Sequence, residues 1–490
     1  MPQREQDHPT VTPARRRGRR WLRRLVVVLV VAVALLAVGQ WRLDLSDRLG
    51  LEPNPRTDPG AVSPPAGLQL AEQPAARRVA PVASAGRLNP AAVRRALAPY
   101  VADHALGKRV DVLVADLDGT IVYRRGDSAV RPASTMKLLT STAALQVLGP
   151  MRRFSTTVDQ VPGSRRIVLV GGGDPFLAST AKRAKGLYPQ RATTAELAAR
   201  TAAALRREGV GKVRLGYDAS LFTGPAVNPA WPSTYLPEDV VPPISALWVD
   251  EAEDGAGHYV SDPAAAAAAV FAGQLRAAGV KVLGSPTPRT ARPAGRRIAA
   301  VRSAPLGEIV QRLLTVSDNN AAEVVLRHVG IAIRNDGSFA GGTTAVRTVL
   351  GRLGIPTRGL RMHDGSGLSR EDRLRPQTLV ALFRTAASPA HPRLRDVVTG
   401  LPVAGFSGSL AGRYRTAPHA GLGRVRAKTG TLTGVSGLAG VAVDLDGTPL
   451  IFAALTDRVP VADTLGARQA LDRITAALGA CHCGASRPTP

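Results

Sequence analysis

The sequence predicts an α+β fold, an antiparallel sheet flanked by helices, that is built from both ends of the folded part of the chain. Residues 110–115 and 121–123 predict two strands, and Asp118-Gly119 between them is a dipeptide that favours hairpin turns. Three further strands are predicted near the C-terminus, at residues 424–432, 437–444 and 449–455. Helical patterns fill the interval, so we expect one sheet to unite the two ends of the chain.

A block of different composition interrupts this pattern. Residues 151–300 contain short strands, Pro-rich loops and two Ala-rich helices. One of these helices has clear limits, with Asp262 as its cap, Pro263 at its first position and Gly279 after its end. We therefore expect an inserted α/β domain at residues 151–300. The domain that receives it comprises residues 89–150 and 301–480, and a tail follows at residues 481–490.

The first 88 residues predict a membrane segment followed by a spacer. Residues 1–24 carry eight arginines and predict a cytoplasmic basic segment. The uncharged run at residues 25–41, bracketed by Trp21 and Trp41, predicts a membrane anchor with its N-terminus in the cytoplasm, and a cleaved signal peptide stays open as the alternative. Residues 42–88, rich in Pro, Ala and Gly, predict a linker. We expect the folded part at the extracytoplasmic face of the membrane, or secreted if the segment is cleaved.

The charge of the chain says little about its partners. The formal charge of +27 arises from 64 Lys+Arg against 37 Asp+Glu, and only seven of the basic residues are lysines. An arginine excess beside abundant Ala, Gly and Pro can come from a G+C-rich genome. Aromatic residues make up only 4% of the chain, which leaves little for stacking on bases, and we expect no nucleic-acid partner. The two cysteines, Cys481 and Cys483, exclude a disulfide scaffold and predict a free or locally oxidised pair.

The first short motif with chemical content is Ser134-Thr135-Met136-Lys137, at the predicted start of a helix that runs to Leu148. Residues three apart lie on one face of a helix, so the Lys137 amine is expected beside the Ser134 hydroxyl. A hydroxyl becomes a nucleophile when a base takes its proton, and a desolvated lysine with a lowered pKa is such a base. Alone, the motif also fits a serine cap with a solvated lysine.

The second motif is Ser317-Asp318-Asn319, in a break between two predicted amphipathic helices at 306–314 and 320–329. Ser317 would relay a proton to a leaving amine, and Asn319 would hold an amide of the substrate. Taken alone, the motif also fits ordinary helix capping.

The third motif is Lys428-Thr429-Gly430, on the predicted strand 424–432. Lys428 and the Thr429 hydroxyl would receive a terminal carboxylate, and Gly430 would let a substrate backbone approach closely. Thr431 would give its N–H, together with that of Ser134, to an oxyanion hole. Taken alone, the motif also fits a surface strand with a turn glycine.

The three motifs occur in the order and the settings found in class A β-lactamases and penicillin-binding proteins: a helix start, an interhelix loop and a strand. The sequence resembles the low-molecular-mass penicillin-binding proteins of the D-alanyl-D-alanine carboxypeptidase/endopeptidase family, which carry a large inserted domain. The resemblance covers residues 90–478 and includes five further segments: 169–175 (LVGGGDP), 217–222 (YDASLF), 243–247 (PISAL), 364–370 (DGSGLSR) and 408–410 ahead of Arg413.

The resemblance implies a penicillin-binding and β-lactamase-like serine transpeptidase fold, with the inserted domain after the nucleophile helix. It implies a serine-type D-Ala-D-Ala carboxypeptidase that acts on peptidoglycan stem peptides and is acylated by β-lactam antibiotics. An additional DD-endopeptidase activity stays open. No metal or other cofactor is implied.

The family's roles carry over to residues of this sequence. Ser134 would be the acylated nucleophile and Lys137 its base. Ser317 and Asn319 of the second motif would handle protons and substrate. Lys428 and Thr429 of the third motif would bind the D-alanine carboxylate. By the same resemblance, Asp218 and Arg370 would line the pocket for the third residue of the stem peptide.

Three alternatives stay open. A haloacid-dehalogenase-type phosphatase is indicated by residues 112–122 (VLVADLDGTIV), although the pentapeptide that begins at Asp116 recurs as residues 444–448 between two predicted strands. A β-lactamase would need a carboxylate that activates water for deacylation. Glu323 and Glu371, the two glutamates between the second and third motifs, are not placed for that role. A non-catalytic wall-binding protein is the third alternative, and the intact set of motifs argues against it.

Overall fold

The structure is a computed structural model of the chain and describes residues 86–485 except 162, 292–294, 416 and 418. The predicted basic segment, the membrane anchor and nearly all of the linker lie outside the described residues, as does the end of the tail. Within the part of the chain that is described, no helix combines the length and the apolar character needed to cross a membrane.

The described residues form eleven strands and eleven α-helices. The strands are β1 (Arg109–Ala115), β2 (Ile121–Arg125), β3 (Ser155–Gln160), β4 (Arg166–Val170), β5 (Lys212–Asp218), β6 (Lys281–Val282), β7 (Thr287–Pro288), β8 (Arg296–Arg302), β9 (Val425–Leu432), β10 (Val435–Val443) and β11 (Pro449–Asp457). The helices are α1 (Pro90–Val101), α2 (Lys137–Leu148), α3 (Ala181–Ala184), α4 (Thr194–Arg207), α5 (Pro263–Ala277), α6 (Leu306–Val316), α7 (Asn319–Arg334), α8 (Phe339–Arg352), α9 (Pro376–Ala387), α10 (Arg395–Thr399) and α11 (Thr464–Gly479).

The main sheet joins the two ends of the described chain. Its five antiparallel strands lie in the order β2-β1-β11-β10-β9. β1 pairs with β11 along its whole length, from Arg109 opposite Asp457 to Ala115 opposite Ile451. The predicted α+β class is confirmed. β9 lies at the edge of the sheet, which leaves the backbone groups on its outer side open to other elements.

Helices cover both faces of this sheet. Successive side chains of a strand point to opposite faces. Phe452 of β11 therefore joins a core with residues of α1 and α11, whereas its neighbour Ile451 joins a core with residues of α2 and α9. Because both faces are buried, β11 is apolar at consecutive positions from Leu450 to Leu455.

The phosphatase-like pentapeptide closes a hairpin in both of its copies. Asp116 Oδ1 accepts the N–H of Thr120 at 2.9 Å between β1 and β2. Asp444 Oδ1 accepts the N–H of Thr448 at 2.7 Å between β10 and β11. Both aspartates are buried, and the glycine of each copy has a positive φ, as a hairpin turn requires. A turn-forming role accounts for both copies.

The inserted part of the chain forms a second, mixed sheet. Its strands lie in the order β6-β5-β4-β3-β8, and β7 also pairs with β5. β4 and β5 run parallel, so a crossover must connect them, and α4 supplies it. α4 and α5 pack with this sheet in one core that contains Leu169, Leu197 and Phe271. α5 begins at Pro263 after the cap Asp262, whose carboxylate accepts a first-turn N–H at 2.9 Å.

The tail is tied to the main sheet. Cys481 and Cys483 form a disulfide, so the pair is oxidised in this structure. The Cys483 N–H donates to Asp444 Oδ2 at 3.0 Å, and the Asn89 N–H donates to the Cys483 carbonyl at 2.8 Å. The tail therefore links the turn between β10 and β11 to the start of α1.

Candidate active site

Ser134 of the first motif, the predicted nucleophile, lies in a short 3₁₀ turn. Residues Ala133–Met136 form this turn, and α2 begins at Lys137, three residues later than the sequence predicts. In a 3₁₀ turn, residues three apart eclipse one another, which brings the side chain of Lys137 directly to Ser134. Ser134 is partly exposed, whereas Lys137 is fully buried. The hydroxyl is thus accessible and the amine is desolvated.

Two glycines make room for this turn. A Cβ at Gly367 would lie 1.9 Å from the Ala133 carbonyl oxygen, and a Cβ at Gly430 would lie 2.6 Å from the Pro132 carbonyl oxygen. Both distances are too short for a side chain. The carbonyl of Pro132 occupies the space that a side chain at position 430 would need, so Gly430 seats the turn that carries Ser134. The expectation that Gly430 also lets a substrate backbone approach closely stays a prediction.

The amine of Lys137 has three partners, and they orient its lone pair. Nζ lies 2.9 Å from Ser134 Oγ, 2.8 Å from Asn319 Oδ1 and 2.8 Å from the Ser366 carbonyl oxygen. The amide and carbonyl oxygens accept hydrogen bonds and do not donate them. A neutral amine that donates its two hydrogens to them keeps its lone pair for the third partner, the Ser134 hydroxyl. This geometry suits transfer of the hydroxyl proton to Lys137.

Burial adjusts the basicity of this amine. Loss of hydration lowers the pKa of Lys137 to about 8. The charges of Glu323, Asp364 and Asp318 oppose this shift, because they favour the protonated amine. A lysine with this pKa is partly neutral near neutral pH, as a general base must be.

The second motif turns the chain from α6 into α7. Ser317 ends α6 with a left-handed backbone (φ +65°, ψ +41°). Asp318 caps α7, since its Oδ1 accepts the N–H of Ala321 at 2.9 Å. Asn319 then begins α7 and extends its amide oxygen to Lys137. Ser317 is not among the partners of the amine, so its part in a proton relay stays a prediction.

The third motif lies on the open edge of the main sheet. The Ala427 N–H donates to the Pro402 carbonyl at 3.0 Å, on the side of β9 that faces away from β10. The N–H groups of alternate residues in a strand share one direction, so the N–H of Thr431 also points outward. An oxyanion donor needs this orientation. Thr429 Oγ1 lies 2.9 Å from Ser409 Oγ beside it.

Lys428 places a buried amine at the same site. It is fully buried, and its Nζ donates to the Thr429 carbonyl at 2.9 Å. Burial, followed by the charges of Lys137 and Arg413, lowers the pKa of Lys428 well below its usual value. Arg413 is held by Asp472 at 2.7 Å. A carboxylate that arrives here would favour the charged form of Lys428.

The structure places Asp218 and Arg370 in different surroundings. Asp218 ends β5, and its two carboxylate oxygens accept the N–H groups of Ser220 at 2.8 Å and Ala291 at 2.6 Å. Arg370 donates to the Thr433 carbonyl at 2.8 Å, in the turn that follows β9. Arg370 therefore lies beside the third motif, whereas backbone amides of the inserted part engage Asp218. A shared pocket for a substrate side chain stays a prediction.

A buried carboxylate that the three motifs do not predict, that of Glu323, supports the loop behind Lys137. Glu323 of α7 is fully buried, and burial raises its pKa to about 8. Its Oε1 accepts the N–H of Ser366 at 2.8 Å, and its Oε2 accepts the N–H of Gly365 at 2.9 Å. Because the Ser366 carbonyl binds Lys137 in turn, Glu323 fixes the loop that holds the Lys137 amine. Its engaged oxygens are not arranged to activate a water molecule.

A second buried carboxylate, Asp364, shapes the same loop. It accepts the N–H groups of Gly367 at 2.7 Å and Ser369 at 2.6 Å. It also accepts the indole N–H of Trp231, from the inserted part of the chain, at 2.8 Å. The signal available in the sequence was the Asp-Gly-Ser-Gly segment itself, since an aspartate before glycines commonly folds a turn on its own side chain.

The chain is similar in sequence and in fold to known peptidases. It matches the D-Ala-D-Ala carboxypeptidase 3 (S13) family over residues 93–254 and 252–478. It is 35% identical over 418 residues to a carboxypeptidase of Mycobacterium tuberculosis, across 83% of this chain and 87% of that protein. It is 35% identical over 472 residues to carboxypeptidase DacB of Mycolicibacterium smegmatis, across 94% of this chain and 96% of that protein. Penicillin binding protein 4 (dacB) of Haemophilus influenzae shares its fold with a TM-score of 0.64 at 20% identity, across 78% of this chain and 98% of that one. The chain therefore belongs to the D-Ala-D-Ala carboxypeptidase 3 (S13) family.

Proposed function

We propose that the protein is a serine-type D-Ala-D-Ala carboxypeptidase that removes the terminal D-alanine of peptidoglycan stem peptides through an acyl-enzyme on Ser134. The observation that carries this conclusion is the position of Lys137 Nζ, 2.9 Å from Ser134 Oγ, with Asn319 and the Ser366 carbonyl directing its lone pair. Membership of the D-Ala-D-Ala carboxypeptidase family indicates which bond is cleaved.

In the first half of the reaction, Ser134 Oγ attacks the carbonyl carbon of the penultimate D-alanine, and Lys137 takes the hydroxyl proton. The N–H groups of Ser134 and Thr431 stabilise the negative charge that develops on the carbonyl oxygen. Lys428 holds the terminal carboxylate of the substrate. As the peptide C–N bond breaks, the proton passes from Lys137 through the Ser317 hydroxyl to the departing amine. D-alanine leaves, and the shortened peptide remains as an ester on the serine.

In the second half, water attacks the ester carbon and gives up one proton, and the Ser134 hydroxyl is restored as the peptide departs. A β-lactam acylates the same serine, but its ring nitrogen stays attached to the acyl group and blocks the path of the water. Glu323 does not offer a free carboxylate to that water, because backbone amides engage both of its oxygens. We therefore infer slow release of bound β-lactams, as expected of a penicillin target.

A DD-endopeptidase activity of the same site is the second candidate. The leaving group would then be the side-chain amine of a neighbouring stem peptide, as in a D-Ala–diaminopimelate crosslink. The observation that favours it is the edge position of β9 and the partial exposure of Ser134, which leave one side of the site open to a larger leaving group.

We further propose that residues 25–41 hold the enzyme at the extracytoplasmic face of the membrane. The proposal is supported by the eight arginines ahead of this uncharged run, and by a substrate that is found on that side. Separation of membrane and soluble fractions, followed by N-terminal sequencing of the protein, distinguishes an anchor from a cleaved signal.

Two assays on the purified protein test the main proposal. A fluorescent penicillin should label the wild type covalently, and a peptide that ends in D-Ala-D-Ala should release D-alanine. Ser134→Ala should abolish both, whereas Ser164→Ala, in a loop of the inserted part, should leave both unchanged. An unlabelled wild type, or equal labelling of Ser134→Ala, would contradict the assignment.

A further inference from the structure

An arginine-lined cavity lies where the inserted part of the chain meets α6, outside the site described above. Its volume is about 590 Å³. α4, the end of β8 and the first turn of α6 contribute to its walls. Four arginines line it against two glutamates: Arg153, Arg191, Arg200 and Arg302 against Glu196 and Glu308. The cavity therefore carries an excess of positive charge.

Part of this charge has no counterpart within the protein. Glu196 neutralises Arg200, at 2.5 Å. Among the described residues, no carboxylate lies within ion-pair distance of Arg153 or Arg302. Arg153 donates to the Ser303 carbonyl at 2.7 Å, which fixes its guanidinium at the wall without cancelling its charge.

Arg191 is the most enclosed of these arginines and is held in place before any ligand arrives. Only 6% of its side chain is exposed. Its guanidinium carbon lies 5.0 Å from the centroid of the Phe176 ring, and one terminal nitrogen donates to Glu251 Oε1 at 2.9 Å. Its Nε, by contrast, is buried without a hydrogen-bond partner in the described part of the chain. A buried donor without an acceptor is unfavourable, and Arg191 is one of the residues that line the cavity.

The size of the cavity fits the same kind of ligand. Its volume lies within the range of small-molecule sites, about 300–1,000 Å³, and exceeds what a single inorganic ion needs. Pro305 and Glu308 place the N-terminus of the 11-residue α6 at the wall. The N–H groups of Leu306 and Gly307 already donate to the Arg152 and Pro150 carbonyls, each at 2.8 Å, so the arginines supply the positive charge of the cavity.

We propose that this cavity binds a sugar-sized molecule that carries an oxyanion, either a carboxylate or a phosphate. Arg200 and Arg302 stand on its exposed side and Arg191 on its buried side. The planar guanidinium group pairs with both kinds of oxyanion through two parallel hydrogen bonds. The identification of this ligand as a fragment of the cell wall rests on the proposed function. The preference of the cavity for an anion is independent of that function.

Calorimetric titration of the full chain at fixed ionic strength tests this proposal with three matched sugars. N-acetylmuramic acid carries a carboxylate, N-acetylglucosamine 6-phosphate carries a phosphate, and N-acetylglucosamine carries neither. We expect saturable binding of at least one charged sugar and none of the neutral one. The stronger of the two charged probes identifies the oxyanion. Absence of saturable binding by both, or equal binding of the neutral sugar, would overturn the proposal.

Four variants locate the binding. Arg153→Ala and Arg302→Ala should each weaken it about tenfold through the loss of charge-assisted hydrogen bonds, and Glu308→Gln should tighten it by removing a like charge. Arg165→Ala, an exposed arginine of the inserted part outside the cavity, is the control and should change nothing. Equal weakening in this control would show unspecific attraction and contradict the site. The titration needs no turnover, so its failure leaves the peptidase assignment intact, and it should succeed equally with Ser134→Ala.

Discussion

Asn319 Oδ1 lies 2.8 Å from Lys137 Nζ, although the two residues are 182 positions apart in the chain. The bond joins the start of α7 to the start of α2 and makes the second motif part of the environment of the general base. The amide oxygen takes one hydrogen of the amine without adding charge beside it. The choice of an amide at this position therefore affects the pKa of Lys137.

Asn319→Asp should move the pH dependence of acylation. Lys137 must be neutral to accept the Ser134 proton, and its pKa is lowered to about 8, so the wild-type rate should rise with pH and level off above about 8. A carboxylate at the position of Asn319 favours the charged amine and raises its pKa by roughly 1–3 units. The rising limb should therefore shift to higher pH by that amount. The second-order rate constant for acylation by a chromogenic β-lactam, measured between pH 5.5 and 10, checks this.

Asn335→Asp is the matched control for this shift, since it makes the same chemical change at the other end of α7. Its pH profile should follow that of the wild type. An unshifted profile for Asn319→Asp would mean that Lys137 is not the group that titrates.

Gly430→Ala should disable the site and leave the fold intact. The added methyl group would lie 2.6 Å from the Pro132 carbonyl oxygen, so the turn that carries Ser134 must move. A displacement of about 1 Å at the nucleophile can cost about a hundredfold in rate. D-alanine release and penicillin labelling should fall together by at least that factor, whereas the circular dichroism spectrum should not change.

Gly273→Ala provides the comparison for that substitution. Gly273 lies within α5, and nothing stands within 4 Å of the position that its Cβ would take. Alanine in place of a helical glycine stabilises by about 0.5–1 kcal/mol, so the melting temperature should rise slightly and activity should not change. Full activity in Gly430→Ala would refute the close contact between β9 and the nucleophile turn.

Glu323→Ala should lower both stability and acylation. It leaves the N–H groups of Gly365 and Ser366 buried without an acceptor, and each such group costs about 1–3 kcal/mol. The Ser366 carbonyl would then lose its fixed position against Lys137. Denaturant unfolding and the acylation rate measure the two effects.

Glu323→Gln should restore most of the loss, because its amide retains one acceptor oxygen for the same backbone groups. Glu371→Ala is the negative control, as that side chain is 68% exposed. If Glu323→Gln acylated no faster than Glu323→Ala, the carboxyl would act through more than the position of the loop.

The buried His328 should make the fold sensitive to acid. Burial lowers its pKa to about 4, and its Nε2 donates to the Gly173 carbonyl at 2.9 Å. The unfolded chain protonates this histidine near pH 6.5, whereas the folded chain resists protonation until about pH 4. Stability is therefore complete above pH 6.5 and falls by about 3 kcal/mol as the pH drops to about 4.

His328→Phe, which keeps the stack on Phe154, should remove this component of the pH dependence, and urea unfolding at pH 7.5, 5.5 and 4 measures it. His104→Gln changes a histidine whose side chain is 97% exposed. This variant should show the same slope of unfolding free energy against pH as the wild type. A slope that is the same in His328→Phe and the wild type would place the acid sensitivity elsewhere.

The local sequence pattern was sufficient to predict the fold class and the contact between Ser134 and Lys137. The hairpin strands at both ends of the chain follow from the alternation of apolar and polar residues and from Asp-Gly turns. Both signals depend on neighbouring residues alone. The pairing of Ser134 with Lys137 follows from a spacing of three, which places them together in either kind of helix. The order of the three motifs indicated the family that the comparisons confirm.

The sequence by itself thus determined the fold class and the pairing of Ser134 with Lys137, because these rest on short-range geometry. Tertiary structure alone decided what surrounds them. Contacts between distant segments placed the Pro132 carbonyl against Gly430 and the carboxyl of Glu323 behind the Ser366 loop. Burial, which no short segment specifies, lowered the pKa of Lys137, and contacts between distant segments brought the arginines of the cavity together beside α6. Spacing along the chain places Lys137 beside Ser134, and long-range packing sets the basicity of its amine, because desolvation and close contact depend on the whole fold.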